Sequence, residues 1–215
     1  MLKNIKGAIF DLDGTLVDSM WIWDKVDIDY LKNHNINLPK SLKDDVAHLS
    51  FDQSAHYFKD NFTLPYSIEE IKNQWMNMAY KEYKENVFLK PGVHRFLDTL
   101  KKSGIKIGLA TSNCLPLLEV ALKSNNIYDY FDAITITDEV CNGKKHPDVY
   151  LLAAKKLGIN PDNCVVFEDI LPALQGAKAA GMKVVCISDK YNDYTKEQVL
   201  EYADVYIDSY DEMID

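Results

Sequence analysis

Ile5–Ser19, IKGAIFDLDGTLVDS, decides how the rest of the chain is read. The apolar run Gly7-Ala8-Ile9-Phe10 has the character of a buried strand, and it delivers Asp11 and Asp13 at one end. Carboxylates two residues apart on an extended segment project to the same side. At the end of a buried strand they repel one another unless a cation lies between them. Gly14 and Thr15 follow at once, where the chain is expected to turn away. Asp13-Gly14 between apolar runs is also a strong hairpin signal, so this stretch alone leaves both readings open. A calcium loop of the EF-hand type is excluded, because its glycine and terminal glutamate do not occur at the required offsets.

Working outward, the pattern after Val17 becomes helical. Met20–Asn35 spaces Trp23, Val26, Tyr30 and Leu31 as one face of a helix, and Pro39 breaks the run. Phe51–Phe62 reads as a short amphipathic helix. Ser67-Ile68-Glu69-Glu70 has the form of a capping box opening a long helix through Trp75, Met78 and Tyr83. Aromatic residues at this spacing usually build a core, which is the reading for Trp23; Trp21 stays open. From Phe88 onward strands and helices alternate. The expected strands are Ile105–Ala110, Ala133–Ile136, Val165–Phe167, Lys183–Ile187 and Val205–Ile207. Between them, Pro91-Gly92 opens one helix, Leu115–Ser124 forms another, and Pro147 opens DVYLLAAKKL, which Gly158 closes. Such alternation means βαβ units and a mostly parallel sheet. The fold class is a doubly wound α/β core, residues 1–17 and 88–215, with an inserted α-helical subdomain at 18–87.

The formal charge of −9 argues against nucleic acid or an anionic membrane as a partner. No apolar run reaches membrane-spanning length, and the first residues lack the pattern of a secretory leader. The four cysteines, Cys114, Cys141, Cys164 and Cys186, show no CxxC spacing. Cys164 and Cys186 border the apolar runs CVVF and VVCI and read as buried small hydrophobes, and reduced thiols suit a cytoplasmic location. His34, His48, His56 and His94 have no ligand spacing, and His146 reads as solvent-exposed.

In open parallel sheets ligands collect beyond the carboxyl ends of the strands. Those ends offer Asp11 and Asp13, then Thr111-Ser112-Asn113, then Gly143-Lys144-Lys145, then Glu168-Asp169. Each group has a plain structural reading. Thr-Ser-Asn can cap a helix, Lys-Lys can be a solvated pair, and Glu-Asp can favour the dipole of the next helix. Their occurrence in order, each at a strand end, points instead to one cation site with an anion-binding rim.

Asp11-Leu12-Asp13-Gly14-Thr15, Thr111 (or Ser112), Lys144 and Glu168-Asp169 together resemble the four motifs of the haloacid dehalogenase superfamily. Gly143-Lys144 with Pro147-Asp148 is similar to its GKPxPD segment, and VVFEDILPALQGAKAAGM to its FEDSxxG…AGM segment. The subgroup resembled is the one that includes β-phosphoglucomutase-like proteins, with a Rossmann-like core and a helical cap. The resemblance implies a Mg²⁺-dependent phosphatase acting on a small phosphorylated metabolite, most naturally a sugar phosphate, as a monomer or weak dimer. It implies Asp11 as the nucleophile that becomes an aspartyl-phosphate and Asp13 as general acid and base. Asp11, Asp13 through its backbone carbonyl, Glu168 and Asp169 would hold the metal. Thr111, Ser112, Asn113 and Lys144 would hold the phosphoryl oxygens. A phosphosugar mutase is the nearest alternative, although Trp23 stands where that enzyme needs a cap histidine. A non-catalytic phospholigand-binding protein on the same scaffold is the other. Two departures stand out: Lys145 replaces the first proline of GKPxP, and Ile170 and Ala173 replace the serine and glycine that follow Glu-Asp. The missing hydroxyl removes a candidate partner for the metal ligands.

Overall fold

The computed structural model describes residues 4–46, 49 and 51–214, so His48 lies outside the described residues. The chain divides into two compact units, Met1–Ser19 with Val87–Asp215, and Met20–Asn86. The sequence placed these divisions two residues earlier at the first crossing and one later at the second.

The larger unit is built on a sheet of six parallel strands in the spatial order β3-β2-β1-β4-β5-β6. They are β1 (Gly7–Phe10), β2 (Lys106–Thr111), β3 (Ala133–Ile136), β4 (Cys164–Glu168), β5 (Lys183–Ile187) and β6 (Val205–Ile207). The strand bearing Asp11 is therefore central, paired with β2 on one side and β4 on the other. Chain order and spatial order diverge at β1, which is where a doubly wound sheet opens its crevice. Both faces are covered, as the apolar runs require. Ile9 and Val166 face a core completed by α7 (Asp148–Leu157) and α8 (Leu171–Ala179), through Val149, Tyr150, Leu157 and Leu174. On the other side Phe10 stacks on Phe167, with ring centroids 4.5 Å apart. Phe96 of α5 (Val93–Lys102) and Tyr210 pack tilted or edge-on against that pair. The remaining helices of this unit are α6 (Leu115–Ser124) and α9 (Lys196–Leu200).

After β1 the chain makes a tight turn rather than a hairpin. Gly14 has φ 77°, a left-handed conformation natural to glycine, and its N–H donates to Val17 O at 3.0 Å. Among the described residues no strand runs back along β1, whose two neighbours are both parallel. The two linker segments pair instead: Asp18 N donates to Phe88 O at 3.0 Å and Lys90 N to Leu16 O at 2.9 Å.

The smaller unit holds α1 (Trp21–Asn33), α2 (Leu42–Val46), α3 (Phe51–Asn61) and α4 (Ile68–Glu85). The capping box forms as read: Ser67 N donates to Glu70 Oε2 at 2.8 Å, and Glu70 N to Ser67 Oγ at 3.3 Å. Tyr30, Phe58 and Trp75 make the aromatic centre, with Phe58 edge-on to Trp75 at 4.7 Å. Trp23 departs from the expected core position. The buried stripe of α1 is Ile22, Val26, Tyr30 and Leu31, while Trp23 is half-buried against Phe51. Trp21 is also half-buried. No helix among the described residues is long and apolar enough to cross a membrane.

Candidate active site

Asp11 extends β1 by one residue, its N–H donating to Phe167 O of β4 at 3.0 Å, so main-chain pairing fixes where its carboxylate starts. Glu168 ends β4 and Asp169 follows, both buried. One carboxylate oxygen from each of Asp11, Glu168 and Asp169 lies within 4.8 Å of the others. Lys144 enters this cluster from the segment before α7. Its Nζ donates to Asp11 Oδ1 and, at 2.7 Å, to Glu168 Oε1. The solvated-pair reading fails for Lys144 and holds for its neighbour: Lys144 is buried, Lys145 and His146 are exposed.

Neutral donors also reach these carboxylates. Tyr150 of α7 donates its hydroxyl to Glu168 Oε1 at 2.8 Å. Thr15 Oγ1 donates to Asp169 Oδ1 at 3.0 Å, and Asn192 Nδ2 to Asp169 Oδ2 at 2.9 Å. Asp13 stands beyond the triad on the turn. Ser19 Oγ donates to its Oδ1 at 2.6 Å and Asn113 Nδ2 to its Oδ2 at 2.8 Å. Thr111, at the end of β2, is buried and accepts from Asn113 N at 3.0 Å through Oγ1. The trio 111–113 therefore does not act as one group. Thr111 and Asn113 face inward, while Ser112 between them is exposed.

Three carboxylates and one ammonium leave a formal charge of −2 in a buried site. The consequences follow from desolvation and repulsion. Burial, reinforced by Asp11 and Asp169, pushes Glu168 above the usual carboxylate range despite Lys144 beside it. Burial and the charge of Asp11 push Asp169 the same way, with Asn192 pulling against them. Burial works to lower Lys144, but Asp11 and Glu168 overcome it and hold the ammonium above its ordinary value. The donor set suits a hard divalent cation, which takes oxygen ligands. Glu168 supplies a further sign: its Oε2 is buried without a hydrogen-bond partner, an acceptor of the kind a cation would satisfy.

Three contributors escaped the reading of strand ends: Thr15 and Tyr150 as holders of carboxylates, and Asn192. The signal for Asn192 is its position beyond a fifth strand end, that of β5, which leads through Ser188-Asp189-Lys190-Tyr191 to it. Tyr150 offered none, since it sits on an apolar helix face.

The chain is similar to several known proteins. The family model described as haloacid dehalogenase-like hydrolase matches residues 8–187. Hexitol phosphatase B of Escherichia coli strain K12 is 31% identical over 188 residues, covering 86% of this chain and 84% of its own length. Phosphoglycolate phosphatase of Salmonella paratyphi A is 30% identical over 239 residues, covering 99% of this chain and 92% of its own. Among solved structures, CbbY from Rhodobacter sphaeroides in complex with phosphate superposes with a TM-score of 0.85 at 23% identity, covering 98% of this chain and 96% of that one.

Proposed function

The chain belongs to the haloacid dehalogenase-like hydrolases, and on that footing we propose that it is a Mg²⁺-dependent phosphatase of a small phosphorylated metabolite, a sugar or polyol phosphate. The observation that carries the reading is the meeting of Asp11, Glu168 and Asp169 with Lys144 in one buried cluster at the crevice of the sheet. A phosphate ester is itself an anion and would be repelled by a site of charge −2. Asp11, Glu168 and Asp169, with the backbone carbonyl of Asp13, would hold the divalent cation, which neutralises that charge and polarises the phosphoryl group.

The chain's own residues then divide the work. Asp11 attacks phosphorus and carries the phosphoryl group as an aspartyl-phosphate. Lys144, kept charged by its acidic neighbours, holds a transferring oxygen, with Thr111 and the 112–113 segment as further donors. Asp13 gives a proton to the leaving alcohol and later takes one from the attacking water. Its two oxygens each accept a hydrogen bond, from Ser19 and Asn113. To act as acid it must exchange one of those partners for the leaving oxygen. The helical unit Met20–Asn86 serves as the cap that chooses the substrate. Trp23, where a mutase would need histidine, supports hydrolysis over phosphosugar isomerisation. Four cysteines without a disulfide are in keeping with action in the cytoplasm.

The test is phosphate release from a panel of phosphate esters, with Mg²⁺ and with chelator, by the wild type and by Asp11→Asn. Turnover that needs Mg²⁺ and vanishes in a folded Asp11→Asn protein is expected. Substantial turnover by that variant would refute the covalent route, and no release from any ester would favour a binding protein.

A further inference from the structure

Asp169 has no help from the residue after it, because position 170 is isoleucine and carries no side-chain donor. Its carboxylate is nonetheless held at both oxygens, by Thr15 and by Asn192. Asn192 grips the residue twice: the same Nδ2 that reaches Oδ2 also lies 2.9 Å from the backbone carbonyl of Asp169. A donor shared between the main-chain and side-chain oxygens of one residue fixes the carboxylate's direction relative to the end of β4.

The loop that carries Asn192 is itself fastened. Asn192 N donates to Asp189 O at 3.2 Å, and Tyr191 N to Asp189 Oδ1 at 2.8 Å. The Asp189 side chain is buried and paired with the buried Lys90 at 2.8 Å, and Lys90 Nζ also donates to Ser188 O at 2.6 Å. Outside the loop, Lys190 reaches Asp18 at 3.0 Å. Segment 188–192 is thus tied to both linker segments at one end and to the acidic triad at the other.

We infer that Asn192 is the positioning residue that aims Asp169 at the divalent cation, in place of a donor at position 170. The inference rests on the metal-dependent reading above. A primary amide is suited to the task. It donates at every pH, and being neutral it orients a carboxylate without neutralising it. A lysine in its place would compete with the cation, and an aspartate would add another carboxylate to a site that already repels. Thr15 shares the load, so loss of Asn192 weakens the ligand's aim without releasing it.

The experiment is calorimetric titration of Mg²⁺ into wild type, Asn192→Ala and Asn192→Ser, with metal-free melting temperatures and phosphate release recorded on the same samples. Removing a partner of a metal ligand typically weakens metal affinity by about tenfold or more. That loss is expected for Asn192→Ala, with a smaller one for Asn192→Ser, which keeps a shorter donor and disturbs the loop less should the alanine variant fail to fold. Metal-free melting should change little, and raising Mg²⁺ should restore much of the lost turnover. If the wild type binds Mg²⁺ and releases phosphate while both variants titrate like it, the amide only fastens the loop and the inference falls alone. A wild type that neither binds Mg²⁺ nor turns over overturns the phosphatase reading with it.

Discussion

Gly176→Ala sets two physical effects against each other, and the structure decides their sign. Gly176 lies inside α8, so helix propensity alone predicts that alanine stabilises by about 0.5–1 kcal/mol. The space beside it predicts the reverse. A Cβ built on Gly176 falls 2.0 Å from Lys144 O, 2.8 Å from His146 O and 3.0 Å from Lys144 C. Ordinary contact begins at 3.4 Å, so the nearest approach is short by about 1.4 Å. The atoms met are backbone rather than the tips of flexible side chains, and the segment is closed on itself by His146 N donating to Gly143 O at 2.9 Å. Helix and segment must therefore separate as bodies.

Overpacking of this kind costs about 1–3 kcal/mol, which outweighs the propensity gain. The net loss, on the order of 1–2 kcal/mol, should lower the melting temperature by a few degrees in a chain of this size. Activity should fall further than stability. The displaced segment carries Lys144, whose Nζ binds Asp11 and Glu168. Misplacing a catalytic group by about 1 Å can cost on the order of 100-fold in rate. Turnover of p-nitrophenyl phosphate under saturating Mg²⁺, with thermal melting in the same buffer, measures both. A variant that melts at or above the wild-type temperature and keeps its turnover would refute the argument that Gly176 is required for Lys144 to reach the site.

Tyr150→Phe removes the hydroxyl that donates to Glu168 Oε1 while keeping the buried ring, and a hydrogen bond to a charged acceptor is worth about 1.5–3 kcal/mol. Metal-free protein should melt several degrees lower, and an unchanged melting temperature would show that the hydroxyl contributes nothing. Asp27→Asn should act in the other direction. Burial, with Asp24 beside it, pushes Asp27 up to about 7. The folded chain then holds a proton that the unfolded chain releases near the ordinary value of 3.8, so this group costs stability as pH rises through that window and costs most above it. Discounted for partial solvent access, the cost is on the order of 2 kcal/mol. The asparagine variant should therefore melt above wild type at pH 8, with the gap closing toward pH 4. A gap that does not vary with pH would contradict the shift.

Asp11 and Asp13 were legible because charge at the end of an apolar strand violates the pattern around it, and the same holds for Glu168-Asp169. The strands were legible for the complementary reason: short apolar runs alternating with helical segments suit the strands of a covered sheet, and Ala133–Ile136, Lys183–Ile187 and Val205–Ile207 fall where they were read. Lys144 was half-legible. Its place in the motif was visible, but its burial depends on Gly176 leaving room behind it and on two acids in front, none of them its neighbours in sequence. Trp23 was misplaced because helical spacing fixes a stripe but not its edge, and Ile22 rather than Trp23 turned out to bound it.

What stayed hidden is the carboxylate-holding role of the neutral donors Thr15, Ser19, Asn113, Tyr150 and Asn192. In sequence such residues read as turn formers or helix caps, or, for tyrosine, as ordinary core, because nothing in a neutral hydroxyl or amide violates its local pattern. Only the fold reveals that each ends on a carboxylate. Their neutrality also sorts the carboxylates. Asp11 and Glu168 are ion-paired with Lys144, whereas Asp169 and Asp13 each accept from a hydroxyl and an amide. In the proposed reaction Asp13 must change protonation state twice in each turnover. Each change there trades a hydrogen bond from a hydroxyl or an amide, where taking Lys144 away from Asp11 and Glu168 would leave buried charge unpaired.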